Sequence, residues 1–275
     1  MKGKIICINK SIHRVLTENN EIIDCETRGK LRNNKIAPLV GDNVIIDVDK
    51  KRIEEVLERK NSLLRPLISN IDTLLIVMSV TIPSFSSYLI DKFLIIAFAN
   101  NIEPIIVITK MDKLKYKDKL NIKKYIKYYR KIGIQTYYNK SIRSIKRELT
   151  NKVVSLCGQT GAGKSTLLNK IDKSLSLKTD EVSTALGRGK HTTRLVEIFK
   201  LDKFMVADTP GFSSLDLNIK KEEIKKCYPD FNKECKYKTC THNKEDGCAI
   251  KELVEKNIIP KWRYNNYIKL MEETK

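Results

Sequence analysis

The chain has 275 residues, a formal net charge of +20 and 41% hydrophobic residues. That length and apolar content exclude a disordered polyelectrolyte and leave room for more than one buried core. No apolar run reaches the ~18 residues of a membrane span. "MKGKIICINK" has no signal-peptide apolar region, so a cytoplasmic location is expected and the seven cysteines are read as thiols rather than a disulfide framework.

Residues 1–65 contain five strand-like pieces: KIICIN, HRVLT, EIIDCET, NVIIDV and RIEEVLE. Turn signals such as ENNE, RNNK and VGDN separate them. This pattern predicts a small β-barrel, with the oligonucleotide-binding (OB) fold as leading candidate. RKNSLLRP then reads as a linker. Over residues 66–219 buried strands (TLLIVMSV, PIIVIT, IQTYY, KVVSLC, TRLVEIFKL, KFMVAD) alternate with helical stretches (SYLIDKFLIIAFANN, DKLNIKKYIKYYRKIG, SIRSIKRELT). Such alternation predicts an α/β domain with a largely parallel sheet. Residues 220–275 read as a mostly helical domain interrupted by a Cys/His cluster. Charge is uneven along the chain: residues 110–152 hold 15 Lys and Arg against 3 Asp and Glu. A surplus this one-sided, on the two helices after TKMD, points to a phosphate-rich partner, nucleic acid ahead of membrane.

"GQTGAGKST" fits G-x-x-x-x-G-K-[ST] and lies between an apolar strand and a helix. Its glycines allow backbone N–H groups to turn toward phosphate oxygens, and the helix N-terminus adds positive potential. Gly158, Gln159, Thr160, Gly161, Ala162, Gly163, Lys164, Ser165 and Thr166 are therefore candidate nucleotide-binding residues. Lys164 is expected to reach the β- and γ-phosphates and Ser165 to ligate Mg²⁺. "DTPG" ends the strand KFMVAD, so Asp208 is placed to hold Mg²⁺ and Gly211 to meet the γ-phosphate. Between the two lies "GRGKHTTR", a Gly-rich segment suited to a switch loop, in which either Thr192 or Thr193 ligates Mg²⁺.

"TKMD", comprising Thr109, Lys110, Met111 and Asp112, is expected to read the base. Asp112 would accept hydrogen bonds from guanine, the Lys110 stem would pack on the ring, and the Thr109 hydroxyl would tie loops together. Adenine leaves Asp112 unpaired, which disfavours ATP. The expected fifth motif is represented only by "NKS" at 139–141. Near the C-terminus, Cys235, Cys240, His242 and Cys248 lie within fourteen residues. Three thiolates and one imidazole make a closed, structural zinc set. Cys7, Cys25 and Cys157 read as small core residues.

The motif order is base-reading loop, phosphate loop, switch, then "DTPG", with a barrel before and a Cys3His domain after. This order resembles the circularly permuted, small-ribosomal-subunit-dependent GTPase A family of bacteria along essentially the whole chain. Two departures from the family pattern are Thr109, where Asn is usual, and the degraded fifth motif. The resemblance implies a GTPase that contacts rRNA, assists late small-subunit assembly and is stimulated by the subunit. GTP and GDP, Mg²⁺, one structural zinc and a cytoplasmic location go with it, and a monomer is expected. Other readings are a permuted GTPase acting on the large subunit, a non-catalytic rRNA-binding module, and an ATP-dependent enzyme. Phe212 stands after "DTPG", where many GTPases place a water-orienting glutamine, and an apolar side chain cannot orient water. The resemblance implies His191, at the position of the family's histidine, as the candidate for positioning or deprotonating the water, with Lys164 and Thr193 as further catalytic candidates. A histidine that only stabilises the loop is the competing reading.

Overall fold

The computed structural model describes residues 1–27, 37–64, 66–172, 196–208 and 219–274. The N-terminal strands β1 (Lys2–Asn9), β2 (Ile12–Thr17), β3 (Ile22–Thr27), β4 (Asn43–Asp47) and β5 (Arg52–Val56) pair in the order β1-β2-β3-β5-β4. β4 returns to β1, which closes the expected five-stranded barrel. Its interior holds Ile5, Val15, Cys25, Val44, Ile46 and Ile53. The two-residue spacing of Val44 and Ile46 is the pleat of a strand with one face inward.

The stretch expected as a linker is built instead. β6 (Ser62–Leu64) and β7 (Leu67–Ser69) form an antiparallel hairpin. The physical reason is Asp42, which is fully buried. It accepts from Arg59 Nε at 2.7 Å and Nη2 at 2.8 Å, Ser69 Oγ at 2.6 Å and the Leu39 amide at 2.7 Å. A buried carboxylate needs such partners, and satisfying it pins the hairpin onto the barrel.

The central sheet is β10-β9-β8-β11-β13-β12. Its members are β8 (Thr73–Ser79), β9 (Glu103–Thr109), β10 (Gln135–Tyr138), β11 (Val153–Cys157), β12 (Glu197–Lys200) and β13 (Met205–Asp208). All neighbours are parallel except β12, which runs antiparallel to β13. Helices α1 (Ser87–Ala99), α2 (Tyr116–Lys131), α3 (Ile142–Leu149) and α4 (Lys164–Ile171) cover both faces. On β8, Leu74, Ile76 and Met78 share a core with Ile90, Phe93 and Leu94 of α1. Leu75 and Val77 share the other core with Ile145 and Leu149 of α3 and Leu167 and Leu168 of α4. A strand buried on both faces explains the unbroken apolar run of β8.

Among the described residues the barrel joins this sheet by one antiparallel register pair, Cys7 with Glu197, so β1 continues the sheet beyond β12, and Ile6 and Leu16 share the core of Leu74 and Ile198. Cys7 is half-buried at this seam rather than a core residue, whereas Cys25 and Cys157 are buried as expected. The C-terminal module contains α5 (Lys221–Ile224), two 3-10 turns (Lys225–Cys227 and Pro229–Phe231), α6 (Ala249–Glu255) and α7 (Lys261–Glu273). α7 packs on α1 around Arg263, which is 0% exposed. Its guanidinium pairs with Asp91 of α1 at 2.5 Å and Asp230 at 2.9 Å and lies 4.0 Å from the Tyr228 ring centroid.

Candidate functional site

β8, β9, β10 and β11 are parallel, so their C-terminal ends share one edge, where open α/β sheets bind ligands. The phosphate loop follows β11, TKMD ends and follows β9, and Asn139–Lys140–Ser141 follow β10. Sequence-distant motifs thus converge because they occupy equivalent positions in the βαβ units.

The phosphate loop requires its glycines. Gly158, Gly161 and Gly163 have φ of 130°, 76° and 94°, a region that side chains disfavour. A Cβ on Gly158 would also lie 2.1 Å from the Val77 carbonyl oxygen. Gly163 is the left-handed N-cap of α4. The next residue, Lys164, donates from Nζ to the carbonyls of Gly158 and Gln159, both at 2.8 Å. Burial lowers the Lys164 pKa, only partly offset by Cys157. Ser165 is buried in the first helical turn, and Ala162 is fully buried.

The base-reading loop is fastened to the phosphate loop. Thr109 is buried, and its hydroxyl lies 2.7 Å from the Ala162 carbonyl, which accepts, and 3.4 Å from that of Met78. Lys110 is left-handed (φ 61°) and donates from Nζ to the Gly161 carbonyl at 2.8 Å and to the Ile82 carbonyl. Met111 and Asp112 enter a 3-10 turn, Met111–Lys113, with the Asp112 carboxylate exposed. The departure at Thr109 therefore keeps a hydroxyl-to-carbonyl tie between the two loops. Sequence reasoning missed the segment after β8. Ile82 acts through its carbonyl, and a Cβ on Gly161 would lie 3.7 Å from the Pro83 ring. A backbone acceptor leaves no side-chain signal in a sequence.

Asp208 ends β13, next to β11 in the sheet, since Ala207 is paired with Ser155. Its backbone thus reaches the same edge as the phosphate loop. His191, Thr192, Thr193, Gly211 and Phe212 lie outside the described residues.

In the C-terminal module, Cys235, Cys240, His242 and Cys248 offer ligand atoms all within 4.8 Å of one another. The three Sγ atoms lie 3.4, 3.5 and 3.4 Å from His242 Nδ1, and Cys235 Sγ is 3.9 Å from Cys248 Sγ. Outer contacts hold the loop in shape. The His242 amide donates to Cys240 Sγ at 3.4 Å, Tyr264 OH to the His242 carbonyl at 2.7 Å and Tyr267 OH to the Thr241 carbonyl at 2.7 Å. Glu245 accepts from the amides of Thr241 and Asn243 and from the Thr241 hydroxyl. Burial raises its pKa, but these donors outweigh it and bring the carboxyl to about 2. Cys227 is a separate buried thiol facing the Glu223 carbonyl.

Comparison with known proteins agrees with this geometry. The sequence model of the RsgA GTPase family matches residues 56–218, and that of the RsgA N-terminal domain matches residues 2–53. The small ribosomal subunit biogenesis GTPases RsgA of Bacillus pumilus and Bacillus subtilis are each 42% identical over 290 residues, covering 100% of this chain and 97% of each relative. The crystal structure of YjeQ from Thermotoga maritima superposes with a TM-score of 0.86 at 34% identity, covering 99% of this chain and 97% of that one. That of YloQ, a circularly permuted GTPase, gives 0.82 at 36% identity, covering 99% and 94%. A permuted nucleotide edge, a closed N-terminal barrel and a C-terminal Cys3His group are thus joined to full-length similarity: the chain belongs to the RsgA GTPase family and is a GTP-hydrolysing enzyme.

Proposed function

We propose that this enzyme assists late assembly of the small ribosomal subunit, binding the subunit through its rRNA and hydrolysing GTP to GDP and phosphate under stimulation by it. The observation that carries the reading is full-length similarity to small ribosomal subunit biogenesis GTPases. The basic surplus at 110–152 supports an RNA partner. Among the described residues no helix is long and apolar enough to cross a membrane. We read the enzyme as a cytoplasmic monomer with domains at 1–65, 66–219 and 220–275.

In this reading the loop amides of 158–163 and Lys164 cradle the phosphates, with Gln159, Thr160 and Thr166 alongside. Asp112 selects guanine, with Thr109 and Lys110 holding its loop against Ala162 and Gly161. Ser165, Asp208 and either Thr192 or Thr193 would hold Mg²⁺, which would supply charge neutralisation at the phosphates. Gly211 meets the γ-phosphate, and His191 positions or deprotonates the attacking water. The Cys3His group takes zinc. Zn–S of about 2.3 Å and Zn–N of about 2.0–2.1 Å in a tetrahedron require S···S near 3.8 Å and S···N near 3.5 Å; Cys235 and Cys248 Sγ stand 3.9 Å apart, the three S···Nδ1 distances are 3.4–3.5 Å, and all four donors lie within 4.8 Å of one another.

The test is GTP turnover alone, with purified small subunits and with large subunits. Stimulation by small subunits alone is expected. Stimulation by large subunits instead would refute the reading. Subunit release unchanged in Lys164→Ala would favour a non-catalytic module, and ATP competing equally with GTP would remove the role of Asp112.

A further inference from the structure

The outer stripe of α2, the helix that leaves the base-reading loop, carries no assigned role. At about 3.6 residues per turn, Tyr116, Leu120, Lys123, Lys124 and Lys127 fall on one side, and all are exposed. Tyr116 is 76% exposed although it is a large aromatic residue. The opposite side holds Tyr125, Ile126 and Tyr129, packed inward. Trp262 of α7 lies 4.6 Å from the Tyr125 ring and 5.6 Å from the Tyr129 ring. The helix is therefore backed by the C-terminal module, and its front is exposed among the described residues. Ion pairs in this part of the fold, Lys146–Asp202 and Lys152–Glu103, lie elsewhere. Among the described residues none involves Lys117, Lys123, Lys124 or Lys127.

We propose that this stripe binds single-stranded RNA, with Tyr116 stacking on an unpaired base and Lys117, Lys123, Lys124 and Lys127 taking phosphates along the helix. Charge complementarity identifies a polyanion. The exposed ring identifies one with unstacked bases, since duplex bases are already stacked on their neighbours. An anionic membrane fits poorly, because a helix lying in a membrane surface needs a broad apolar face and that face of α2 is already spent on the protein core. The stripe begins four residues after Asp112, so RNA docked there lies beside the base-reading loop. The proposal rests on the reading of the chain as a small-subunit factor.

The test uses the full chain, a fluorescently labelled single-stranded RNA, the same RNA as a duplex, and phosphatidylserine vesicles. Tyr116→Ala is expected to weaken single-strand binding about fivefold or more, while Tyr116→Phe retains it. Lys123→Ala with Lys124→Ala is expected to reduce the slope of log K against log salt by about 1.4. Basal GTP turnover is expected to stay at the parent value in every variant. Parent-level RNA binding by Tyr116→Ala, preference of the parent for duplex, or binding to vesicles in place of RNA overturns the proposal. Absence of small-subunit stimulation in the parent overturns the functional reading instead. Intact stimulation with RNA binding unaltered by the substitutions overturns only the stripe.

Discussion

The GTPase domain is joined to its two neighbours by different kinds of seam. On the barrel side, among the described residues, one backbone register pair links β1 to β12, Ile6, Leu16 and Ile68 join the core of β8 and α1, and a carboxylate–guanidinium pair, Asp42 with Arg59, fastens the hairpin. Arg59 keeps 26% of its side chain in solvent. On the C-terminal side Arg263 keeps 1%, pairs with two carboxylates from two modules, and sits among Tyr128, Tyr129, Tyr228 and Trp262. A buried ion pair adds little net stability but is severe to break. The C-terminal module is therefore set rigidly on α1 and α2, the helices leading from the loops around the nucleotide edge. The barrel is attached to β12, the strand that follows the segment read as a switch.

Metal removal tests the rigid side most strongly. Structural zinc in such sets contributes roughly 10–16 kcal/mol of apparent binding energy, so chelation is expected to unfold the C-terminal module while barrel and GTPase persist. Circular dichroism and limited proteolysis would report this, and an unchanged digestion pattern would sink the structural role. Next comes Arg263→Ala, which strands Asp91 and Asp230 as buried charges and should destabilise by about 3–5 kcal/mol. Arg59→Ala should cost less, about 1–3 kcal/mol, because it strands one carboxylate rather than two, and the Ser69 hydroxyl and Leu39 amide still donate to Asp42. Denaturant midpoints of the two variants give the order directly, and equal losses would erase the contrast between the seams.

Thr109→Val leaves the Ala162 carbonyl without its donor at an expected cost of about 1–3 kcal/mol, read as weaker GTP binding. Thr109→Ser should retain affinity. The smallest effect concerns acid. Glu245 has a folded pKa of about 2 against an ordinary 4.5. Its contribution is present above pH 4.5 and is lost as pH falls from there toward 2. The group is partly exposed, so the gain is below about 1 kcal/mol. The melting-temperature gap between the parent and Glu245→Gln should be largest near neutrality and close as acid is added.

Local chemistry carried much of this protein into its sequence. Alternating and unbroken apolar runs mark β4 and β8 because pleat and two-sided burial impose those periods. Gly158, Gly161 and Gly163 mark the phosphate loop because their positive φ excludes side chains. Cys235, Cys240, His242 and Cys248, whose ligand atoms the fold brings within 4.8 Å of one another, lie within fourteen residues, so their clustering was legible from spacing. Other features depend on partners far away in the chain. Asp42 turns a presumed linker into a fixed hairpin through Arg59 and Ser69. The Ile82 carbonyl joins the nucleotide edge without a side chain to announce it. Asp91 and Arg263 are 172 residues apart and look like ordinary surface charges until folding buries them together. The motifs, their permuted order and the barrel strands follow from sequence, because each is a short-range pattern. The seams, the exposure of Tyr116 and the tie from Thr109 to Ala162 were decided only by tertiary structure, because long-range packing determines which groups lose their water and which partners they find.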